Sequence, residues 1–308
     1  MKLTNALNLP QPFVDAATSD HRYVDKRYSA TAILKGTREA ILQRRHDDEI
    51  SNDVADMVWA IFGTAVHGIL EQGEESQSQI KENKLVVDLP NGYQLSGIFD
   101  LYDDATGTVT DYKTASVWKV KFGCWDDWKP KADTDQFDDW RKQTLIYCWM
   151  LRQIGFDAHR GEIVALLKDH SKTKAKINEH PPLPVWQIGW DFTAEDFEQI
   201  EAWIMAKFEE IERCEKLPDE ELPLCTEAER WTRPGKFAVM KKGRKSAVRL
   251  YDDKNDAYQR AAGENRNTSG EPFYVEERKG SDPKCMDYCS ACEFCAYWQQ
   301  TYGKEAQA

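Results

Sequence analysis

A mixed α/β core followed by a smaller cysteine-rich, metal-binding subdomain is the fold class this sequence predicts. Three observations predict it. Helical and strand-like periodicities alternate through the first two thirds of the chain, prolines interrupt that pattern after Lys216, and Cys285, Cys289, Cys292 and Cys295 crowd into eleven residues. The expected division is 1–216 for the core with its N-terminal helical segment and 217–308 for the cysteine-bearing subdomain; 308 residues suffice for both.

The first fifty residues are polar, with a helix expected over Ser29–Arg45. A stronger helix is expected from Asp53 to Gly73. Its Val54, Met57, Val58, Ile61, Phe62, Ala65, Val66, Ile69 and Leu70 recur at helical spacing and form one broad face suited to a core. Three strand-like runs follow, Lys84–Leu89, Tyr93–Tyr102 and Thr108–Ser116. Asn91-Gly92 makes a tight turn between the first two and Asp103–Gly107 a loop before the third, so a three-stranded antiparallel meander is expected. After a tryptophan-rich connection, Trp118 to Asp135, a helix is expected over Phe137–Ile154, ended by Gly155. Glu162–Leu167 reads as a buried strand, Lys168–Lys176 as a basic loop and Val185–Trp190 as a further strand. Thr193 and Asp196 form a capping box opening a helix to Lys216. Beyond Pro218, Pro223 and Pro234, a hairpin is expected over Phe237–Leu250 with its turn at Lys242-Gly243. A short helix over Asp256–Ala262 and a strand over Phe273–Glu277 precede the cysteines.

The net charge of −12 argues against a protein that coats nucleic acid by bulk electrostatics. It does not exclude a local basic groove, since an acidic metal site itself adds negative charge. No apolar run approaches the ~18 residues of a membrane-spanning helix, and MKLTNALNLPQPF has no signal-peptide character, so a cytoplasmic location is the default expectation.

The most informative segment is GIFD at 97–100, followed by DYK at 111–113. Residues two apart on a strand share a face, so Asp111 and Lys113 project together, and pairing of the two strands brings Asp100 close. Two carboxylates and an ammonium suit a divalent-metal phosphodiesterase. Mg²⁺ or Mn²⁺ takes oxygen ligands, and a lysine offsets charge on the transition state. Taken alone, an Asp-x-Lys triplet is most often a solvated strand face. Two neighbours strengthen the reading. His67, in GTAVHGILE at 63–71, falls on the polar side of an apolar helix, where a neutral imidazole can complete a mixed nitrogen–oxygen site. Gln143 and Tyr147, in QTLIY, are spaced i, i+4 on one helix face.

In this order, His, G-x-x-D, D-x-K and Q-x-x-x-Y resemble the RecB-type branch of the PD-(D/E)XK nucleases, a branch that includes CRISPR-associated and phage-encoded recombination exonucleases. The likeness covers residues 60–150. It implies a restriction-endonuclease-like core, a mixed sheet flanked by helices. It implies His67, Asp100, Asp111 and the Tyr112 carbonyl as metal ligands, Lys113 as the catalytic lysine, Gln143 and Tyr147 lining the site, and Glu71 standing behind the ligands. It also implies DNA with a free end as substrate and work beside recombination or replication proteins. The rival readings are a structure-specific or defence endonuclease, a DNA-binding module without catalysis, and a redox-sensing iron–sulfur protein.

Members of this branch often hold an iron–sulfur cluster on one distant cysteine and three C-terminal ones that close as C-x2-C-x5-C. Here the closing pattern is Cys285-x3-Cys289-x5-Cys295, one residue longer in its first gap, with Cys292 in addition. No cysteine precedes Cys124, so Cys225 is the candidate distant ligand and Cys214 the fallback. A [4Fe–4S] cluster on Cys225, Cys285, Cys289 and Cys295 competes with tetrahedral Zn²⁺ on the four C-terminal cysteines. For DNA contact, Lys241, Lys242, Arg244 and Lys245 flank a glycine turn, either as a solvated tip or as phosphate ligands. Trp118, Trp125 and Trp128 either stack on unpaired bases or pack the core.

Overall fold

The computed structural model describes residues 2–18, 23–132, 134–270 and 272–303. It divides into two units, Met1–Glu221 and Leu222–Ala308. The first begins with β1 (Lys2–Thr4), α1 (Gln11–Ala17), β2 (Arg27–Ser29), α2 (Ala30–Ile33), α3 (Thr37–Arg45) and β3 (Ser51–Asp53). α4 (Val58–Glu71) follows, then β4 (Gln79–Lys81), β5 (Lys84–Asp88), β6 (Gln94–Ile98), β7 (Leu101–Asp103) and β8 (Thr108–Ala115). α5 (Val117–Gly123), α6 (Asp138–Gln153), β9 (Arg160–Leu167), α7 (Lys172–Lys176), β10 (Val185–Asp191) and α8 (Ala194–Cys214) complete it.

Its main sheet has the order β10-β9-β8-β7-β4, and a smaller one the order β2-β6-β5. β8 and β9 are parallel, and α6 lies in the crossover between them. α6 is covered on nearly every side: Gln143 to Leu151 are all buried. Ile146 and Met150 are fully enclosed, so truncating either to alanine costs about 2–5 kcal/mol. Two tyrosines hold the smaller sheet to the end of α8: Tyr28 and Tyr93 donate their hydroxyls to the two oxygens of Glu215 at 2.5 and 2.6 Å.

The expected meander does not form. The run Tyr93–Tyr102 breaks at Phe99-Asp100, so that β6 pairs with β5 in one sheet and β7 with β8 in the other. Neighbouring residues of a continuous strand point to opposite faces. Phe99 and Asp100 are both buried, and the break is what lets them be.

The expected helix Asp53–Gly73 is also corrected. Asp53 belongs to β3, where its carboxylate accepts from the Thr4 hydroxyl (2.8 Å) and the Ala6 N–H (2.9 Å), and the helix starts at Val58. None of its residues is buried. The face toward β8 is the small and polar one, with Gly63 against Thr114 and His67 beside Asp100, while Trp59, Phe62, Ala65 and Ile69 are exposed. The apolar stripe therefore faces outward, the reverse of the expectation. The helix expected over Ser29–Arg45 is likewise two, α2 and α3, the second opening after Gly36.

In the second unit, β11 (Lys236–Lys241) lies between β12 (Arg249–Tyr251) and β13 (Phe273–Arg278), antiparallel to both. α9 (Glu227–Arg230) precedes the sheet and α11 (Ala296–Thr301) follows the cysteines. α10 (Lys254–Arg266), capped by Asp253, packs Ala257 and Ala261 on Val239.

Candidate active site

The site is built where β7 gives way to β8. β7 begins at Leu101 opposite Thr110, so the backbone beyond Thr110 has no strand on that side. The Asp100 carboxylate takes its place. One oxygen accepts the Tyr112 N–H at 2.6 Å, and the other lies 3.0 Å from His67 Nδ1. The hydrogen bond to Asp100 raises the His67 imidazole above its usual value, against the opposing effect of burial.

Asp111 is 3% exposed. Burial pushes its carboxyl up, and Lys113 opposes that shift. The Lys113 ammonium lies 2.6 Å from Asp111 Oδ2, as an ion pair outside hydrogen-bond geometry, so this buried oxygen has no hydrogen bond. Gln143 links the two groups: its carbonyl accepts from Lys113 at 2.9 Å, and its amide donates to Asp111 Oδ1 at 3.2 Å and to Tyr147 Oη at 3.4 Å. Burial raises the Tyr147 hydroxyl far above its ordinary range, so it stays protonated. The Tyr147 ring packs against Gly97 of β6, where a Cβ would meet its Cε1 at 2.6 Å.

Asp100, Asp111, Lys113, Gln143 and Tyr147 thus come together, with His67 and the Tyr112 backbone at their edge. Glu82, which sequence reasoning missed, joins them: ligand atoms of His67, Glu82 and Asp100 lie within 4.8 Å of one another. Asp111 is outside that trio but close enough for its charge to act on His67 and Glu82. Glu82 sits at φ +46° between two short strands, and its N–H donates to the Asp100 carbonyl at 3.2 Å. Burial and the charges of Asp100 and Glu71 raise its carboxyl. Its one sequence signal is its neighbour Asn83, a turn former just before the strand-like run Lys84–Leu89. Glu71 is exposed at the end of α4, where Lys81 donates to the Glu71 carbonyl at 2.7 Å and also to that of Gly73.

Cys285, Cys289, Cys292 and Cys295 are not joined by disulfides. Successive turns wind them into a coil: Cys289 N–H donates to Lys284, Cys292 to Cys289 and Cys295 to Cys292 at 2.8, 3.1 and 2.9 Å. The Cys285 thiol is pushed up to about 12, by burial first and then by the charges of Asp282, Cys225 and Cys295. Burial also raises Cys292. Asp282, 3% exposed, accepts from the hydroxyls of Thr232, Tyr297 and Tyr302 and pairs with Arg230 at 3.4 Å. Cys214 is buried at the end of α8 in the first unit.

Lys241 ends β11, and Lys242, Arg244 and Lys245 are exposed on the turn, where Gly243 takes φ +86°. Trp128 is in the core, donating to Asn178, whereas Trp118 and Trp125 are exposed.

No curated protein matches the chain significantly. Among solved structures it is similar to SSO0001, at 14% identity and a TM-score of 0.45, covering 67% of this chain and 86% of that one. It is similar to a phage-related exonuclease from Haemophilus somnus 129PT, at 13% identity and a TM-score of 0.31, covering 58% and 73%. It is also similar to LHK-Exo, solved in complex with dAMP, at 16% identity and a TM-score of 0.33, covering 60% and 91%. The sequence model of one family matches residues 74–230, half of the chain and the stretch that runs from Glu82 through Tyr147. On that match the protein belongs to the PD-(D/E)XK nuclease superfamily.

Proposed function

We propose that the protein is a divalent-metal-dependent deoxyribonuclease that hydrolyses phosphodiester bonds at the free ends of DNA. The observation that carries the reading is Asp111 Oδ2, a buried carboxylate oxygen without a hydrogen bond, beside Lys113 and next to the His67–Glu82–Asp100 trio. Glu82, Asp100 and Asp111 bring three carboxylates against one lysine and one imidazole, an excess of negative charge that a bound cation offsets. His67, Glu82, Asp100 and Asp111, with the Tyr112 carbonyl, supply the nitrogen and oxygen donors that Mg²⁺ or Mn²⁺ accepts. When bound, such an ion polarises the scissile phosphate and lowers the pKa of water.

The chain's own residues do the rest. Lys113 is held in place by a hydrogen bond to Gln143 and an ion pair with Asp111. That ammonium offsets the charge that grows on phosphate oxygens. Tyr147 stays a neutral hydroxyl and anchors the Gln143 amide. Exonucleolytic action is the part of the proposal carried by the sequence resemblance.

The test is cleavage of end-labelled linear DNA with Mg²⁺ or Mn²⁺. Replacing Lys113 or Asp111 with alanine lowers the rate by about 10²–10³ while folding is retained. Wild-type rates in both variants, or no cleavage of linear, circular and single-stranded DNA by folded protein, overturn the reading. A ladder of products shortening from the end separates exonuclease from endonuclease.

For the second unit we propose a structural metal centre on Cys285, Cys289 and Cys295 with Cys225, a [4Fe–4S] cluster in preference to zinc. The support is the spacing of the cysteines in the sequence and the family resemblance; among the described residues no three cysteine sulfurs lie within 4.8 Å of one another. Anaerobically purified protein then contains iron and acid-labile sulfide, and Cys289→Ala loses both; zinc in their place selects the tetrahedral site.

A further inference from the structure

β8 and β9 finish together, at Ala115 and Leu167. Just beyond, Lys168 donates its N–H to the Ala115 carbonyl at 3.0 Å, and Val117, which opens α5, donates to Asp169 at 2.7 Å. The Lys168 ammonium lies 3.9 Å from the centre of the Trp59 ring, which brings the first turn of α4 to the same end of the sheet. On α5, Trp118 and Phe122 are four residues apart and stack on each other at 5.6 Å and 27°. Trp59, Trp118, Phe122 and Trp125 are 59%, 57%, 63% and 62% exposed. Trp128, Trp140 and Trp186, in contrast, are core residues at 8% exposure or less.

Each of the exposed tryptophans carries a lysine. Besides Lys168 on Trp59, Lys121 lies 5.2 Å from Trp118 and Lys131 5.5 Å from Trp125. Among the described residues Lys121 and Lys168 have no carboxylate partner. Between α5 and α6 the sequence carries Asp126, Asp127, Asp133 and Asp135 beside Lys129 and Lys131, and Asp127 is paired with Lys129 at 2.8 Å. Lysine is depleted from the cores of protein–protein interfaces. Rings for bases interleaved with ammonium groups for phosphates are instead what single-stranded nucleic acid requires. Ala115 lies two strand residues, about 7 Å, beyond Lys113, so the patch adjoins the carboxylate site on the strand that carries it.

We propose that this surface is a stacking platform for unpaired bases, and that the DNA strand reaching Asp111 and Lys113 arrives single-stranded. The proposal rests on the nuclease reading only for what happens to that strand. It is tested by fluorescence anisotropy with labelled oligothymidylate of about 15 nucleotides and a blunt duplex of similar length, all proteins carrying Asp111→Asn. Trp118→Ala and Phe122→Ala each weaken oligothymidylate binding about tenfold and leave duplex binding within about twofold of the Asp111→Asn parent. Trp118→Tyr restores the affinity and Trp118→Leu does not.

Unchanged oligothymidylate affinity overturns the proposal, as does an equal loss for duplex or full rescue by leucine. So does a wild-type dimer that Trp118→Ala dissociates, since a second copy would then be the occupant. The two readings fail separately. If the ring variants lose single-strand binding while wild-type protein cuts no DNA, the platform stands without the nuclease. If wild-type protein cuts DNA and the ring variants bind oligothymidylate as the parent does, only the platform falls.

Discussion

Gly97 and Asp282 are single residues on which larger arrangements depend. A methyl group at Gly97 meets the Tyr147 ring at 2.6 Å and the Met150 sulfur at 3.4 Å. Gly97→Ala is therefore expected to cost about 1–3 kcal/mol by overpacking, and to lower cleavage more than stability, because Tyr147 carries Gln143 and Gln143 carries Lys113. Denaturant midpoints and cleavage rates measured together check this; a loss of rate no larger than the loss of folded fraction refutes it. Asp282 gathers three hydroxyls and Arg230 beneath the cysteine coil. Burial opposes its ionisation, but those partners outweigh burial and hold its carboxyl below the usual value. Asp282→Asn leaves Arg230 buried without its counter-charge, at a cost of about 3 kcal/mol, seen as a lower melting temperature and faster metal loss. At this scale the sequence was legible where chemistry has a spacing: Asp100, Asp111, Lys113, Gln143 and Tyr147 were identifiable and do converge. Glu82 was not, because it enters the site from a left-handed turn that no periodicity marks.

Secondary-structure elements were legible in kind and less so in partnership. α6, β8, β9, β10 and the capping box of α8 follow from their patterns, since burial on one face or all round leaves a period in the sequence. The break between β6 and β7 leaves no such trace, because both sides of it are strand-like and the cause is the burial of an aspartate. α4 misleads for another reason: hydrophobic periodicity reports a stripe and does not say which stripe meets the sheet. Between α3 and the end of α8 lies a titratable contact. His46 bonds Glu49 and Asp219, each at 2.7 Å. Burial lowers the imidazole, but these two carboxylates outweigh it and raise it above its ordinary value. A raised folded-state value means that the contact stabilises fully below the unfolded value of about 6.5 and is lost as pH rises through the folded value above it. Urea midpoints of the wild type are expected to fall over that rise, and His46→Asn to flatten the profile; an identical slope in the variant excludes the contact as its source.

For the whole molecule, the two units differ in the size of their apolar clusters. Met1–Glu221 has an apolar core that runs from Tyr28 through α6 to Ile211, whereas the cluster of Val239, Ala257 and Ala261 in Leu222–Ala308 is small. The metal proposed for its cysteines would add a cross-link where packing is thinner. Removing the proposed cysteine-bound metal under reducing conditions is expected to abolish hydrogen-exchange protection in β13 and α11 and to leave that of α6 intact; equal loss in both units contradicts this. The outward-facing apolar stripe of α4 has a consequence of its own. One helix presents His67 inward and Trp59 outward, so the two proposed binding equilibria share a single element. Thermodynamic reciprocity then applies: by whatever factor an occupant of the outer face tightens the hold on an ion at His67, the ion tightens the hold on that occupant.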